Sequence, residues 1–208
     1  MCPSKFQTAL QALKRDPIMA FLAHKFAHEI TLSDRYESDH AKALALLVVE
    51  QQVSFKAALT IKQRFLKIID RLSYSEILAL DNDLIQSAGL SKRKVDYIKN
   101  IYQHFLDEPK NYEVMDYDQI HNALIQIKGV GRWTIEMFLI FVLGAQDIFS
   151  KGDLALINSI KRNYNLDPLT DLHLNQLIEQ WRPYNTVASL LLWRSVEQKI
   201  YYTPEAED

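Results

Sequence analysis

Two glycines and an aspartate carry the clearest chemical signal in this chain. Gly129 and Gly131 stand one residue apart in Ile127-Lys128-Gly129-Val130-Gly131-Arg132-Trp133-Thr134, and Asp153 follows after about one helix and one loop. Amphipathic segments flank the glycine pair, so it reads as a helical hairpin turned too tightly for bulky side chains at positive φ. A second helix opening at Gly131–Arg132 would point its free amides and the positive end of its dipole outward, where they can hold a phosphate. Without Cβ atoms at Gly129 and Gly131, a phosphate oxygen can come close to those amides. Lys128 and Arg132 add charge, Thr134 adds a hydroxyl, and Val130 is expected to plug between the two helices. A Gly-Val-Gly turn alone is equally what a plain αα-hairpin uses. Asp153, taken alone, reads as an ordinary helix N-cap. The dipole there favours an anion, and a fixed carboxylate can also stabilise positive charge developing on a reacting group.

These groups need helices to position them, and the sequence supplies little else. Apolar residues recur at helical spacing over residues 5–13, 17–31, 40–51, 76–87, 92–106, 117–127, 132–143, 154–163, 172–181 and 184–200. Between these, Phe55, Leu59, Phe65, Leu66 and Ile69 fall near one stripe. Asp39, Ser54, Ser75, Ser91, Asp116 and Asp171 stand where N-caps are expected. Gly89 and Gly144 read as helix ends, and Gly152 as the residue that sets the loop presenting Asp153. Strand-like alternation is absent. The expected fold is all-α, with about ten helices.

Composition narrows the function. Five glycines in 208 residues are roughly a third of ordinary usage, which excludes a Gly-rich dinucleotide fingerprint. The formal net charge of −2 excludes a polycation that holds nucleic acid by bulk charge, so any such contact must be local. The single cysteine, Cys2, supports neither a disulfide framework nor a thiolate cluster. The longest apolar run, Met137 to Ala145, is far short of the ~20 residues that span a bilayer. No signal peptide is evident, and the chain is expected to be soluble and intracellular, with no membrane partner. His24 and His28 share a helix face, but no third ligand accompanies them.

The sequence I-x-G-V-G-R-x-T between amphipathic helices resembles the helix-hairpin-helix motif, which grips the DNA backbone without reading sequence. Hairpin, loop, then aspartate at a helix start is similar to the helix-hairpin-helix DNA glycosylase superfamily. Three further segments resemble its alkylpurine, or 3-methyladenine DNA glycosylase II, branch. They are Glu50-Gln51-Gln52-Val53-Ser54, Gly89-Leu90-Ser91 with Lys94, and Trp181-Arg182-Pro183-Tyr184 followed by Ala188, Trp193 and Arg194. The matches run in order from about residue 40 to 195. The resemblance implies two helical subdomains flanking a DNA-binding cleft. One is built from residues 1–36 with 152–208, and the other is a central unit, 37–151, containing the hairpin at 124–143. It also implies a compact form without the N-terminal β domain of larger bacterial members.

The resemblance implies roles as well. Bifunctional members carry a lysine nucleophile where this chain has Trp133, and four cysteines serve an iron–sulfur cluster in other relatives. A monofunctional enzyme is therefore implied, which hydrolyses the N-glycosidic bond of alkylated, cationic purines such as 3-methyladenine and 7-methylguanine in base excision repair. Asp153 is its catalytic carboxylate. Trp133 leads the base pocket, with Trp193, Tyr184 and Met137 as further members; core packing is the alternative for these aromatic residues. Gln52 is the favoured DNA wedge, with Gln51 second, and simple helix-end capping is the alternative for both. Lys92, Arg93 and Lys94 touch phosphate or form a solvated cluster. No cofactor is expected, beyond a monovalent cation that the hairpin carbonyls of Ile125, Ile127 and Val130 could hold. The expected partner is damaged double-stranded DNA, bound by a monomer with no obligate protein partner. Two other readings stay open: a non-catalytic module that recognises DNA structure, and a glycosylase for uracil, mismatched adenine or oxidised guanine.

Overall fold

Short polar side chains set most helix starts in this protein. Asp16, Asp39, Ser54, Ser73, Asp81, Ser91, Asp116, Asp153 and Thr170 each accept an amide of the helix they precede, an interaction worth about 1 kcal/mol apiece. The computed structural model describes residues 3–30 and 37–204. Its helices are α1 (Pro3–Leu13), α2 (Pro17–Phe26), α3 (His40–Glu50), α4 (Phe55–Ile68), α5 (Tyr74–Ala79), α6 (Asn82–Gln86), α7 (Lys92–Asp107), α8 (Tyr117–Leu124), α9 (Arg132–Phe141), α10 (Leu154–Asn163), α11 (Asp171–Trp181) and α12 (Asn185–Gln198). No strand occurs among the described residues, so the fold is all-α, as the periodicity indicates.

Several boundaries differ from the sequence pattern for local reasons. The stretch 76–87 is two helices, because Ser73 starts α5 through a capping box with Glu76 and Asp81 starts α6. The cap expected at Ser75 is thus Ser73, and the one expected at Asp171 is Thr170. The 17–31 pattern leaves α-geometry after Phe26 and tightens into a 3-10 turn over Ala27–Glu29; residue 31 lies outside the described residues. Leu59, expected on the buried stripe of α4, is 51% exposed, whereas Ala58, Phe65 and Ile69 are buried. The Phe55 side chain lies outside the described ones.

The chain divides into two compact units, Tyr36–Phe138 and Met1–Arg35 with Leu139–Asp208. In the first, α3 packs against α7 and α4, and α5 and α6 also pack on α7. Ala41, Ala43, Leu44, Ala45, Leu47, Val48 and Val49 of α3 are all buried. Small alanines on several faces let its neighbours approach from more than one side. Val95, Ile98, Ile101, Tyr102 and Phe105 form the buried face of α7, each large side chain worth roughly 1.5–3 kcal/mol when fully buried.

In the second unit α12 is central, touching α1, α2, α10 and α11. Two buried polar knots set its geometry. Asp16 caps α2 through Oδ1, while its Oδ2 accepts from Tyr164 Oη at 2.5 Å and Trp181 Nε1 at 3.2 Å. Ser159 and Asn163 of α10 bond Ser195 of α12 at 2.7 and 3.0 Å, and each other at 3.1 Å. Buried polar atoms paired in this way fix register where apolar packing alone would tolerate sliding.

Candidate functional site

The hairpin turn lies in the Tyr36–Phe138 unit. α8 ends at Leu124, the Ile127 amide bonds Leu124 O, and the Val130 amide bonds Ile127 O at 2.9 Å. Val130 is 4% exposed and so plugs the turn as its position suggests. Gly131 O accepts the Ile135 amide, which makes Gly131 the residue before α9. Glycine has no side chain to cap the first amides of α9, unlike the Ser, Thr and Asp residues that start other helices here. Gly131 and Arg132 are exposed.

The two glycines do different things. Gly129 has φ +103°, and a Cβ there would lie 2.1 Å from Tyr97 Cγ, inside the ring of that tyrosine. Its lack of a side chain therefore serves the packing of Tyr97. Around Gly131 a Cβ would meet nothing within 4 Å, and its φ is not positive, so that residue has open space on its side-chain face. Around Gly152 a Cβ likewise meets nothing within 4 Å. The loop before Asp153 therefore does not depend sterically on that glycine.

The flanking side chains are partly committed. Arg132 Nε bonds buried Glu136 at 2.9 Å while its side chain remains 66% exposed. That carboxylate, by hydrogen bond and charge, raises the guanidinium pKa above its ordinary value. Thr134 is 2% exposed, and its hydroxyl accepts from Gln51 Nε2 at 2.8 Å. Gln51 Nε2 also donates to Gly129 O at 3.3 Å. The α3–α4 turn and the hairpin are thereby joined, and Gln51 is spent on that junction. Gln52, the next residue, is exposed and sits at φ +55°, a left-handed conformation unusual for a side chain of its type. Lys94 is no free cation: its Nζ donates to Val49 O at 2.9 Å and Gln51 O at 2.6 Å, and burial lowers its pKa. Lys92 and Arg93 are exposed. Lys128 is exposed too, and its carbonyl accepts from Asn100 Nδ2 at 3.3 Å. Trp133 is half-buried and Met137 is 3% exposed.

Asp153 lies in the other unit. Its Oδ1 accepts from the amides of Ala155 at 2.9 Å and Leu156 at 3.0 Å, and from Trp193 Nε1 at 3.3 Å. The indole of Trp193 stacks on Phe141, with centroids 5.7 Å apart and planes at 28°. The loop leading to Asp153 is pinned to the first turn of α12. Thr186 Oγ1 donates to Ala145 O and accepts the Ile148 amide, the Thr186 amide bonds Gln146 O, and Asn185 bonds Asp147. Tyr184 ends the turn before α12 and packs, partly buried, on the apolar core of this unit. The contribution of Trp193 to Asp153 joins residues forty positions apart, and neither motif announces it. Nor does the sequence mark Tyr97 and Asn100 as partners of the hairpin, although residues 94, 97 and 100 share one face of α7, a spacing the sequence does display.

Among the described residues no group of histidine, cysteine, aspartate and glutamate could hold a metal ion, and no helix is long and apolar enough to cross a membrane.

Comparison with known proteins bears on this arrangement. Residues 46–184 match the family model described as HhH-GPD superfamily base excision DNA repair protein. DNA-3-methyladenine glycosylase 1 of Schizosaccharomyces pombe is 30% identical over 165 residues, covering 76% of this chain and 72% of that protein. The putative DNA-3-methyladenine glycosylase YfjP of Bacillus subtilis is 30% identical over 163 residues, 72% of this chain and 56% of its own length. The solved structure of the Schizosaccharomyces pombe 3-methyladenine DNA glycosylase Mag1, in complex with abasic DNA, superposes with a TM-score of 0.85 at 26% identity. That match covers 94% of this chain and all of the other.

Proposed function

This chain belongs to the HhH-GPD superfamily of base excision DNA repair proteins, and we propose that it is a monofunctional DNA glycosylase that removes alkylated, cationic purines from duplex DNA. The observation that carries this reading is Asp153, a carboxylate held by two α10 amides and the Trp193 indole. The names of its relatives, 3-methyladenine DNA glycosylases, support the substrate class.

The chemistry follows from charge. The target nucleotide is drawn out of the stack so that C1′ is accessible. A purine alkylated at N3 or N7 already bears positive charge. When the C1′–N bond breaks, the bonding pair goes to the base, which leaves neutral, and the sugar becomes an oxocarbenium-like cation. No proton donor is needed for that departure. The Asp153 carboxylate stabilises the sugar cation, water adds at C1′ and loses a proton, and an abasic site remains. Electrostatic groups of this kind are typically worth 10²–10³ in rate, roughly 3–4 kcal/mol. Trp133 offers an aromatic face to the cationic base, an attraction of about 0.5–2 kcal/mol. An indole cannot form a Schiff base, so the strand is left uncut.

Grip and extrusion fall to the Tyr36–Phe138 unit, which also carries Trp133. The first amides of α9 take a backbone phosphate beside Gly131, with Lys128 and Arg132 adding charge. The carbonyls of Ile125, Ile127 and Val130 suit a monovalent cation, since Ile127 O gives one lone pair to the Val130 amide and keeps a second. Gln52 fills the space in the stack, because Gln51 is engaged with Thr134 and Gly129. The protein acts on damaged duplex DNA as a monomer.

A lesion panel tests this reading. Duplexes bearing 7-methylguanine, 3-methyladenine, uracil, mismatched adenine or 8-oxoguanine are incubated with the protein, and free base is measured. Release confined to the methylated purines supports it. Release of neutral bases alone would remove the cationic-substrate argument, and release of none would leave a DNA-binding module.

A further inference from the structure

Lys94, Tyr97 and Asn100 lie three residues apart on α7 and share one face of it. Each meets a different part of the two loops assigned above to DNA. Lys94 Nζ bonds Val49 O and Gln51 O, at the C-terminal end of α3, where carbonyls lack intrahelical donors and the dipole favours a cation. The Tyr97 ring occupies the space that a Gly129 side chain would need. Asn100 Nδ2 bonds Lys128 O. One helix face thus holds the turn carrying Gln52 and the turn carrying Gly131, and Gln51 ties the two loops directly.

We propose that this face is a strap that fixes the reach from the Gln52 wedge to the phosphate site at the start of α9, with Lys94 as its principal positioning residue. The inference rests on the glycosylase reading for its purpose. Its geometry stands on the contacts themselves. A duplex places the extruded nucleotide and the gripped phosphate at a fixed separation, so a wedge that floats relative to the hairpin enters the stack poorly even when the hairpin binds well. Gln52 needs such support, since a non-glycine residue in the left-handed region persists only where its surroundings over-determine it. Lys94 fastens the carbonyl immediately before it. None of these three side chains needs to touch DNA.

The test separates wedge entry from grip. The probe is a duplex with a tetrahydrofuran abasic analogue and 2-aminopurine on the opposite strand, whose fluorescence changes when a side chain enters the gap. Lys94→Met keeps the aliphatic stem and removes the donor. At saturation its fluorescence change should fall about fivefold, while its Kd for undamaged duplex stays within about threefold of native. Lys94→Arg, which can also donate to two carbonyls, should restore most of the change. Full amplitude in Lys94→Met, or equal loss of amplitude and affinity in a variant that remains folded, would overturn the proposal. If Lys94→Met unfolds, Asn100→Ala decides the matter from the hairpin end. A reduced amplitude per bound complex, with Kd for undamaged duplex within about threefold of native, supports the strap, and native amplitude overturns it. Release of 7-methylguanine by the native protein is followed in parallel. Base release together with undiminished amplitude in Lys94→Met sinks the strap alone. A native fluorescence change that Lys94→Met loses, with no base release, sinks the glycosylase reading and leaves the strap standing.

Discussion

Replacing Gly129 by alanine should damage the fold, and replacing Gly131 should damage DNA binding instead. At Gly129 the new Cβ would sit 2.1, 2.5 and 2.5 Å from three atoms of the Tyr97 ring, well inside van der Waals contact. Overpacking of this kind costs about 1–3 kcal/mol. A non-glycine residue at φ +103° adds roughly 1–2 kcal/mol of backbone strain. The sum, about 2–5 kcal/mol, is a large share of the 5–15 kcal/mol that holds a typical domain folded. For a chain of this size it lowers Tm by roughly 4–20 °C. Tyr97→Ala removes the obstructing ring, so the double variant should recover the steric part and show a coupling of about 1–3 kcal/mol. Gly131→Ala meets neither obstacle. Its small loss as a helix start and its gain from a stiffer unfolded chain nearly cancel. A methyl group on the open side should nonetheless weaken binding to an abasic-site duplex about tenfold, the size of one charge-assisted contact. Thermal melts of the four variants and fluorescence anisotropy at one salt concentration measure both effects. A Gly129→Ala protein that melts with the native one, or that Tyr97→Ala fails to rescue, would refute the packing argument.

Two other outcomes follow from the contacts. Trp193→Phe keeps the stack on Phe141 and removes the donor to Asp153; single-turnover excision should slow about three- to tenfold with DNA affinity unchanged, the loss expected for one hydrogen bond. At high pH the protein should lose stability through its tyrosines. Burial raises the Tyr112 phenol from 10.0 to about 12 and also raises Tyr102 and Tyr164, the latter helped by the Asp16 carboxylate. The folded state resists ionisation that the unfolded chain accepts, so this stability is intact below pH 10 and declines as pH rises toward the folded values. Melts between pH 9 and roughly 12, compared with phenolate absorbance, check it; a Tm that rises over that range contradicts the assignment.

Local signals in the sequence were readable because their causes are local. Asp39, Ser54, Ser91, Asp116 and Asp153 accept the amides of the helices they precede, and an N-cap needs only its own first turn. The break between α5 and α6 was hidden because the apolar periodicity runs through it and only the capping box at Ser73 and the cap at Asp81 reveal it. The reason for Gly129 was hidden for a different cause. A turn glycine looks the same whether it makes room for a ligand or for a tyrosine thirty-two residues earlier. Lys94 likewise looks like a surface cation until α3 is seen to end beneath it. Charge, spacing and caps can be read along the chain, whereas the partner of a buried polar atom cannot.

In the proposed mechanism the Asp153 carboxylate stabilises the cation that develops on the sugar as the base departs, and Asp153→Asn isolates that charge. Asparagine caps a helix about as well as aspartate, so α10 should keep its start while the negative charge is lost. Release of 7-methylguanine from duplex DNA under single-turnover conditions should fall by about 10²–10³, with melting temperature and affinity for abasic-site duplex close to native. Base release by Asp153→Asn at the native rate would show that the Asp153 charge plays no part in bond cleavage.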